Sequence, residues 1–242
     1  MTRSARVNLD DEARVRAMVS TTLFRAWPEA ALRRLAESAQ LSVYRRGDLV
    51  VDSARAGHAM TIVVEGVVQA CVTAKEGRRI TFKVGGPGGI YGILPMFDRR
   101  EIPSDLVALE RVVTLAIPYT AVRAELTRAP ALWELLASEL AARARGYTDQ
   151  MRRFLFDGPR VRMAALLASL AHGGARDGNG AVALPMQLSQ ERLAEMLGIS
   201  RQWATGLVRE MCDAGLITWR YGRVTVVDLE GLRAIARESI NR

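Results

Sequence analysis

Two apolar stripes of helical period, separated by a single glycine, constrain this chain more than any other feature. They lie in Leu188–Met211, which reads Leu-Ser-Gln-Glu-Arg-Leu-Ala-Glu-Met-Leu-Gly-Ile-Ser-Arg-Gln-Trp-Ala-Thr-Gly-Leu-Val-Arg-Glu-Met. Ser189 is an N-cap residue, and Leu193, Ala194 and Leu197 give the first helix one apolar face. Gly198 closes that helix, because glycine enters the left-handed region without steric cost. Ile199 plugs the corner and Ser200 caps a second helix. There Ala204, Leu207, Val208 and Met211 recur at i, i+3, i+4 and i+7, the buried stripe. Arg201, Gln202, Thr205, Gly206 and Arg209 occupy the opposite face. The spacing predicts a helix-turn-helix whose second helix exposes long donors from its first turn.

That layout suits one chemistry. A major groove about 12 Å wide admits a single helix, whose first turn then reaches the base edges. Arginine pairs with guanine O6 and N7, glutamine with adenine, and helix N-termini favour phosphate oxygens. Ser189 and Ser200 stand at those N-termini. The competing reading is an ordinary helical hairpin whose polar face is merely wet.

The residues that follow favour DNA. After a helix end at Gly215, Leu216–Trp219 and Val224–Val227 are β-prone runs joined through Tyr221-Gly222. This predicts a wing, with Arg220 and Arg223 flanking its tip and positioned for a phosphate backbone. A solvated hairpin also carries charge at its tip, but this one has two arginines and no acid.

The chain's net charge of +8 and pI near 10.3 suit a polyanionic partner. All of its basic residues except Lys75 and Lys83 are arginine, a bias that a GC-rich genome also produces. Cys71 and Cys212 lie far apart, outside any Cys/His cluster, so no metal centre is expected. Reduced thiols, a polar start over residues 1–12 and no apolar run of about 18 residues predict a cytoplasmic protein without a membrane span.

Upstream, residues 13–19 and 28–40 read as helices, the second with Leu32, Leu35, Ala36 and Ala39 on one face. From Leu41 to Pro118 the period changes to two. Runs at 41–44, 47–51, 59–64, 67–73, 79–84 and 111–118 are separated by glycine turns, with a hairpin break at Lys75-Glu-Gly-Arg. Such spacing predicts a small barrel or jelly roll. The glycine-rich stretch Val84–Phe97 has neither the Walker lysine nor a strand–GxGxxG–helix context, so it reads as a tight corner rather than a phosphate cradle. A long helix follows over 130–156, with Leu132, Leu136, Leu140, Tyr147, Met151 and Phe154 along one stripe. It suits a dimer seam, and packing within its own subunit is the alternative. Asp157-Gly-Pro159 is a hinge, 160–172 another helix, and 229–240 a final short one.

This order of elements resembles the cyclic-AMP receptor protein / fumarate-nitrate regulator (Crp/Fnr) superfamily of bacterial transcription factors over nearly the whole chain. The segment Leu188–Arg201 is similar to the superfamily's Leu-(Ser/Thr)-(Arg/Gln)-(Gln/Glu)-Glu-(Ile/Leu)-Ala…Gly-(Cys/Val)-Ser-Arg. Gly47, Gly66, Gly77 and Gly92 sit where the family turns its strands, and Arg162-Met-Ala-Ala-Leu-Leu looks like its post-hinge helix. The resemblance implies an α+β chain in three parts. These are helices and a cyclic-nucleotide-binding-like β-jelly roll over 1–129, a long dimerisation helix over 130–157, and a C-terminal winged helix-turn-helix over 158–242. It further implies a homodimer on palindromic double-stranded DNA that acts through RNA polymerase.

Departures from the family pattern are equally informative. The triplet that holds the ribose, Gly-Glu-Leu, reads Gly92-Ile93-Leu94, and the Arg-Ser or Arg-Thr pair that holds the cyclic phosphate reads Pro103-Ser104. A buried phosphate with no cation costs several kcal/mol. This argues against cyclic AMP and leaves another small-molecule effector or none, with Ile93 favouring a barrel filled by its own side chains. Tyr147 and Thr148 fall where the family's helix approaches its ligand and join Gly92, Ile93, Leu94 and Ser104 as candidates. The N-terminal cysteine cluster of oxygen-sensing members is missing, and neither His58 nor His172 matches a haem-ligand position, so no cofactor is expected. In the reading helix Gln202 replaces a glutamate and Gly206 an arginine, which predicts an operator unlike the family's commonest. Trp203 either packs beneath the wing or meets a thymine methyl.

Three functions compete. A DNA-binding regulator accounts for the motif, the wing and the charge. A module acting through protein partners accounts for the barrel alone. An enzyme lacks any Ser/His/Asp or Cys/His set or paired carboxylates near a glycine corner.

Overall fold

The computed structural model describes residues 10–53, 57–73, 79–101, 104–171, 176–178, 180–184 and 186–238, without the side chains of 73, 79, 80 and 82. The chain divides into two compact units, Met1–Val72 with Lys83–Arg145, and Thr73–Phe82 with Gly146–Arg242. The division falls inside the long helix. The hairpin break at 75–78, with Gly77, lies outside the described residues, as do Pro103, His172 and the arm before Asp10.

The first unit opens with α1 (Asp11–Val19), a 3-10 turn at Phe24–Ala26 and α2 (Glu29–Ser38). α2 stops two residues short of the sequence expectation. Ala39 is already extended and Gln40 pairs with Ala116, so strand pairing takes the end of the helical pattern. The strands are β1 (Gln40–Tyr44), β2 (Leu49–Val51), β3 (Ala59–Glu65), β4 (Val68–Thr73), β5 (Arg79–Gly85), β6 (Ile90–Tyr91), β7 (Asp105–Ala108) and β8 (Val112–Pro118). They form two sheets, β1-β8-β3-β6, antiparallel throughout, and β2-β7-β4-β5, antiparallel from β2 to β4, together the jelly roll. On one face of the first sheet Leu41, Met60, Ile62, Val113, Leu115 and Ile117 pack with Met18, Phe24, Leu32 and Leu35 from the helices. Thr61, Val63, Val112 and Thr114, of the opposite parity, are buried as well, which is why these strands read as near-continuous apolar runs. Gly66 turns β3 toward β4 at φ +82°, and a Cβ there would lie 2.2 Å from the Arg111 carbonyl, so only glycine fits.

A short helix, α3 (Pro95–Asp98), lies between β6 and β7, and α4 (Tyr119–Arg128) lies between β8 and the long helix. The hydrophobic pattern did not disclose α4. Its Val122 and Leu126 join the core together with Leu132 and Leu136 of α5 (Leu132–Phe156), and Leu140 packs partly against it. This corrects the expected dimer seam at Leu132 and Leu136 alone. Leu132 and Leu136 are spent inside their own subunit because α4 and the roll cover that end of the helix.

Glu125 of α4 is buried, and its carboxylate accepts two hydrogen bonds from the Arg34 fork at 2.8 and 2.7 Å and a third contact from Arg128. The Arg34 hydrogen bonds, seconded by Arg128, hold its carboxyl below the ordinary carboxylate range against the opposing effect of burial. A depressed folded-state pKa contributes stability above the unfolded value, and that stability is lost as pH falls through the folded one. Glu125→Gln is therefore expected to lower Tm by roughly 5 °C at pH 7. The gap should close on acidification below about pH 4, as followed by thermal melts across pH 7 to 3. An equal Tm gap at both ends would overturn the assignment.

The second unit carries α6 (Pro159–Leu170), β9 (Val182–Ala183), α7 (Gln190–Leu197), α8 (Arg201–Asp213), β10 (Ile217–Arg220), β11 (Arg223–Val226) and α9 (Leu229–Arg237). β10, β11 and β9 form one antiparallel sheet. Met163, Ala164 and Leu167 of α6, Leu193 and Leu197 of α7, and Leu232 and Ile235 of α9 are buried.

Candidate nucleic-acid interface

Both caps form as the sequence dictates. The Ser189 hydroxyl accepts from the Arg192 amide at 3.1 Å and the Ser200 hydroxyl from the Trp203 amide at 3.2 Å. Each serine thus commits one lone pair of its oxygen to a helix start, and its proton stays available to a ligand. Gly198 closes α7 at φ +64°, and the Ile199 amide reaches back to the Ala194 carbonyl at 3.0 Å. Ala204, Leu207, Val208 and Met211 are buried, which fixes the rotation of α8 about its axis.

With that face spent, Arg201, Gln202, Gly206 and Arg209 are exposed together on the other side. Thr205 is half-buried, and its hydroxyl lies 2.8 Å from Gln190 Oε1 and 2.9 Å from the Arg201 carbonyl. It ties α8 to α7 rather than standing free. A Cβ at Gly206 would meet nothing within 4 Å. Glu210 lies on the flank of α8 and is paired with Arg160 at 2.6 Å. Trp203 is 54% exposed. The first turn of α8 also presents its own amides and the positive end of its dipole.

The wing is a two-residue hairpin. Tyr221 and Gly222 both have positive φ, 49° and 77°, the signature of a type I′ turn. Ile217, Val224 and Val226 anchor it in the core. Arg220 and Arg223 are exposed and directly opposite in register. Like charges so placed repel, a cost that an external polyanion removes. Among the described residues, none of Arg201, Arg209, Arg220 and Arg223 has an acidic partner.

The candidate effector residues are placed differently from one another. Ile93 is buried in the first unit's core, Leu94 is exposed and Ser104 is half-buried. Gly92 offers its carbonyl to the Tyr119 hydroxyl, whose pKa burial pushes up to about 12. The neighbouring Ile90 carbonyl accepts from Arg143 at 2.9 Å. In the glycine corner the Gly88 and Gly89 amides already donate to the carbonyls of Val63 and Gly86, so they form no phosphate cradle. Tyr147 and Thr148 are exposed on α5. So are Met151 and Leu155, which with Tyr147 fall at i, i+4 and i+8 on one face. Phe154 is exposed too, but its ring lies beneath the Arg162 guanidinium at 5.1 Å. Among the described residues no Cys/His/carboxylate group is placed to hold a metal, and no helix is long and apolar enough to cross a membrane.

Two signals escaped the sequence reading. The Arg160–Glu210 pair joins residues far apart in the chain, and Tyr221 occupies a turn position where its bulk is unfavourable, which its type alone discloses once the turn is known.

Comparison with known proteins agrees with this geometry. Residues 161–235 match the Crp-like helix-turn-helix domain and residues 41–129 the cyclic nucleotide-binding domain. A CRP-like cAMP-activated global transcriptional regulator of Mycobacterium tuberculosis is 26% identical over 89% of this chain and 96% of its own length. The cyclic AMP receptor protein of Thermus thermophilus is 27% identical over 81% and 88%. Among solved structures, a Crp/Fnr-family transcriptional regulator from Thermus thermophilus superposes with a TM-score of 0.67 at 24% identity, covering 82% of this chain and 99% of that one. A c-di-GMP responsive global regulator from Xanthomonas campestris does so with a TM-score of 0.67 at 18% identity over 82% and 99%.

Proposed function

Because the chain belongs to the Crp/Fnr superfamily of transcription regulators, we propose that it grips a two-fold symmetric operator as a homodimer and does so without cyclic AMP. One observation carries the reading: a capped helix, locked by its buried stripe, that holds Arg201, Gln202 and Arg209 outward. Arg201 reads a guanine, Gln202 an adenine, and the wing arginines lie along phosphates. Ser189, Ser200 and Thr205 position the two helices, and Gly206 leaves open space on the outward face. Output then passes through RNA polymerase.

Homodimerisation is supported by the exposed stripe Tyr147, Met151 and Leu155, large apolar side chains that a lone subunit leaves in water. Independence from cyclic AMP is supported by the chemistry at 92–94, where Ile93 stands in the core in place of a carboxylate and the Gly92 and Ile90 carbonyls are taken by Tyr119 and Arg143. An effector of other chemistry would have to enter by displacing these contacts.

Selection from a randomised duplex pool is expected to return inverted half-sites about 10 base pairs apart, bound with a steep salt dependence. Cyclic AMP at millimolar concentration should leave that affinity within twofold. Asymmetric products would remove the dimer, and a tenfold response to the nucleotide would remove the independence.

A further inference from the structure

Tyr221, at the tip of the wing, is held in a conformation that its own chain does not reward. Its φ of 49° lies in the left-handed region, which asparagine and glycine adopt readily and a bulky side chain does not. Its side chain is 100% exposed, so the ring gains no packing. Yet the tip is not slack. The Gly222 carbonyl accepts from the Leu188 amide at 2.8 Å, and Leu188 is itself fully buried immediately before the Ser189 cap of α7. The turn is thus fastened to the helix-turn-helix, and Arg220 and Arg223 face each other at its base. Strain that persists on so firm a support marks a position with a use outside the fold.

We propose that Tyr221 contacts duplex DNA, laying its ring on a deoxyribose face of the backbone next to the phosphates met by Arg220 and Arg223. A nucleic-acid strand alternates anionic phosphates with apolar sugar faces, and a pair of guanidinia at the base of the turn with an aromatic ring at its tip offers both chemistries side by side. The proposal rests on the DNA-binding reading and extends it to a residue that neither the helix-turn-helix motif nor the wing arginines require.

The test uses the full chain and the duplex that the wild type selects from a randomised pool. Tyr221→Asn places a residue suited to the left-handed position, so Tm should rise by about 2–4 °C while affinity for the duplex falls about tenfold. A gain in stability with a loss in binding is the signature. The slope of log affinity against log salt should stay at the wild-type value, because no charge is removed. Arg223→Ala should instead reduce that slope by about one per subunit. Unchanged affinity in Tyr221→Asn overturns the proposal, leaving a strained but idle tip. A fall in Tm, or a salt slope reduced as in Arg223→Ala, also overturns it, since the ring would then be holding the hairpin or its arginines. A wild-type chain that selects no duplex at all removes the regulator reading and this proposal together, whereas equal selection by both chains removes this proposal alone.

Discussion

Arg201→Ala is expected to lower affinity for the selected operator by roughly 30-fold to 25,000-fold. A bidentate arginine–guanine contact contributes about 1–3 kcal/mol, and a dimer makes it twice. The guanidinium stands exposed on the first turn of α8 with no acidic partner among the described residues, so its donors are free for a base edge. Affinity for a scrambled duplex, which rests on phosphates, should fall far less, so the ratio of the two is what collapses. Stability should hold, since an exposed side chain of this kind changes it by about 0.5 kcal/mol or less. Titrations of both duplexes at one salt concentration check this. A preserved ratio would place the reading on another side chain, and a large fall in Tm would show Arg201 to be structural.

Met151→Glu should be comparably damaging by a separate route. Met151 is 65% exposed and sits between Tyr147 and Leu155 on one face of α5. In a two-fold seam each substituted position meets the partner's equivalent surface, so two carboxylates are desolvated for every dimer formed. The expected product is a folded monomer with wild-type secondary structure. Its operator affinity should drop by about 100-fold or more, because two half-sites no longer share the effective concentration that linkage provides. Sedimentation at micromolar concentration and operator titration test both parts. A variant that still sediments as a dimer with wild-type affinity would move the seam elsewhere.

The two arms of the helix-turn-helix were legible because each rests on local chemistry. Ser189, Gly198 and Ser200 are cap residues whose meaning depends on the next few positions, and the stripe from Ala204 to Met211 is a helical period. The wing was equally readable, because a β-prone pair around Tyr221-Gly222 has few other solutions. The failures share one cause, namely partners distant in sequence. α4 has a weak stripe of its own and is defined by Glu125 meeting Arg34, 91 positions earlier. Leu132 and Leu136 carry the same pattern as the exposed half of α5, and only the elements packed on them distinguish core from surface. The two-residue strand at 182–183 has too little sequence to show a period and exists because β11 offers it an edge. At the candidate site, residue types indicated which side chains point outward, but not that Thr205 would turn aside to Gln190.

Since the side chains that fold α8 and those that face outward from it are disjoint sets, the specificity of this protein is open to rewriting. Gly206 is the natural entry point, with open space where a side chain would begin and a helical conformation that any ordinary residue adopts. Replacing a mid-helix glycine commonly adds about 1 kcal/mol of helix stability. New base preferences can therefore be engineered there while the scaffold becomes firmer, an uncommon circumstance in which retargeting and robustness pull in the same direction.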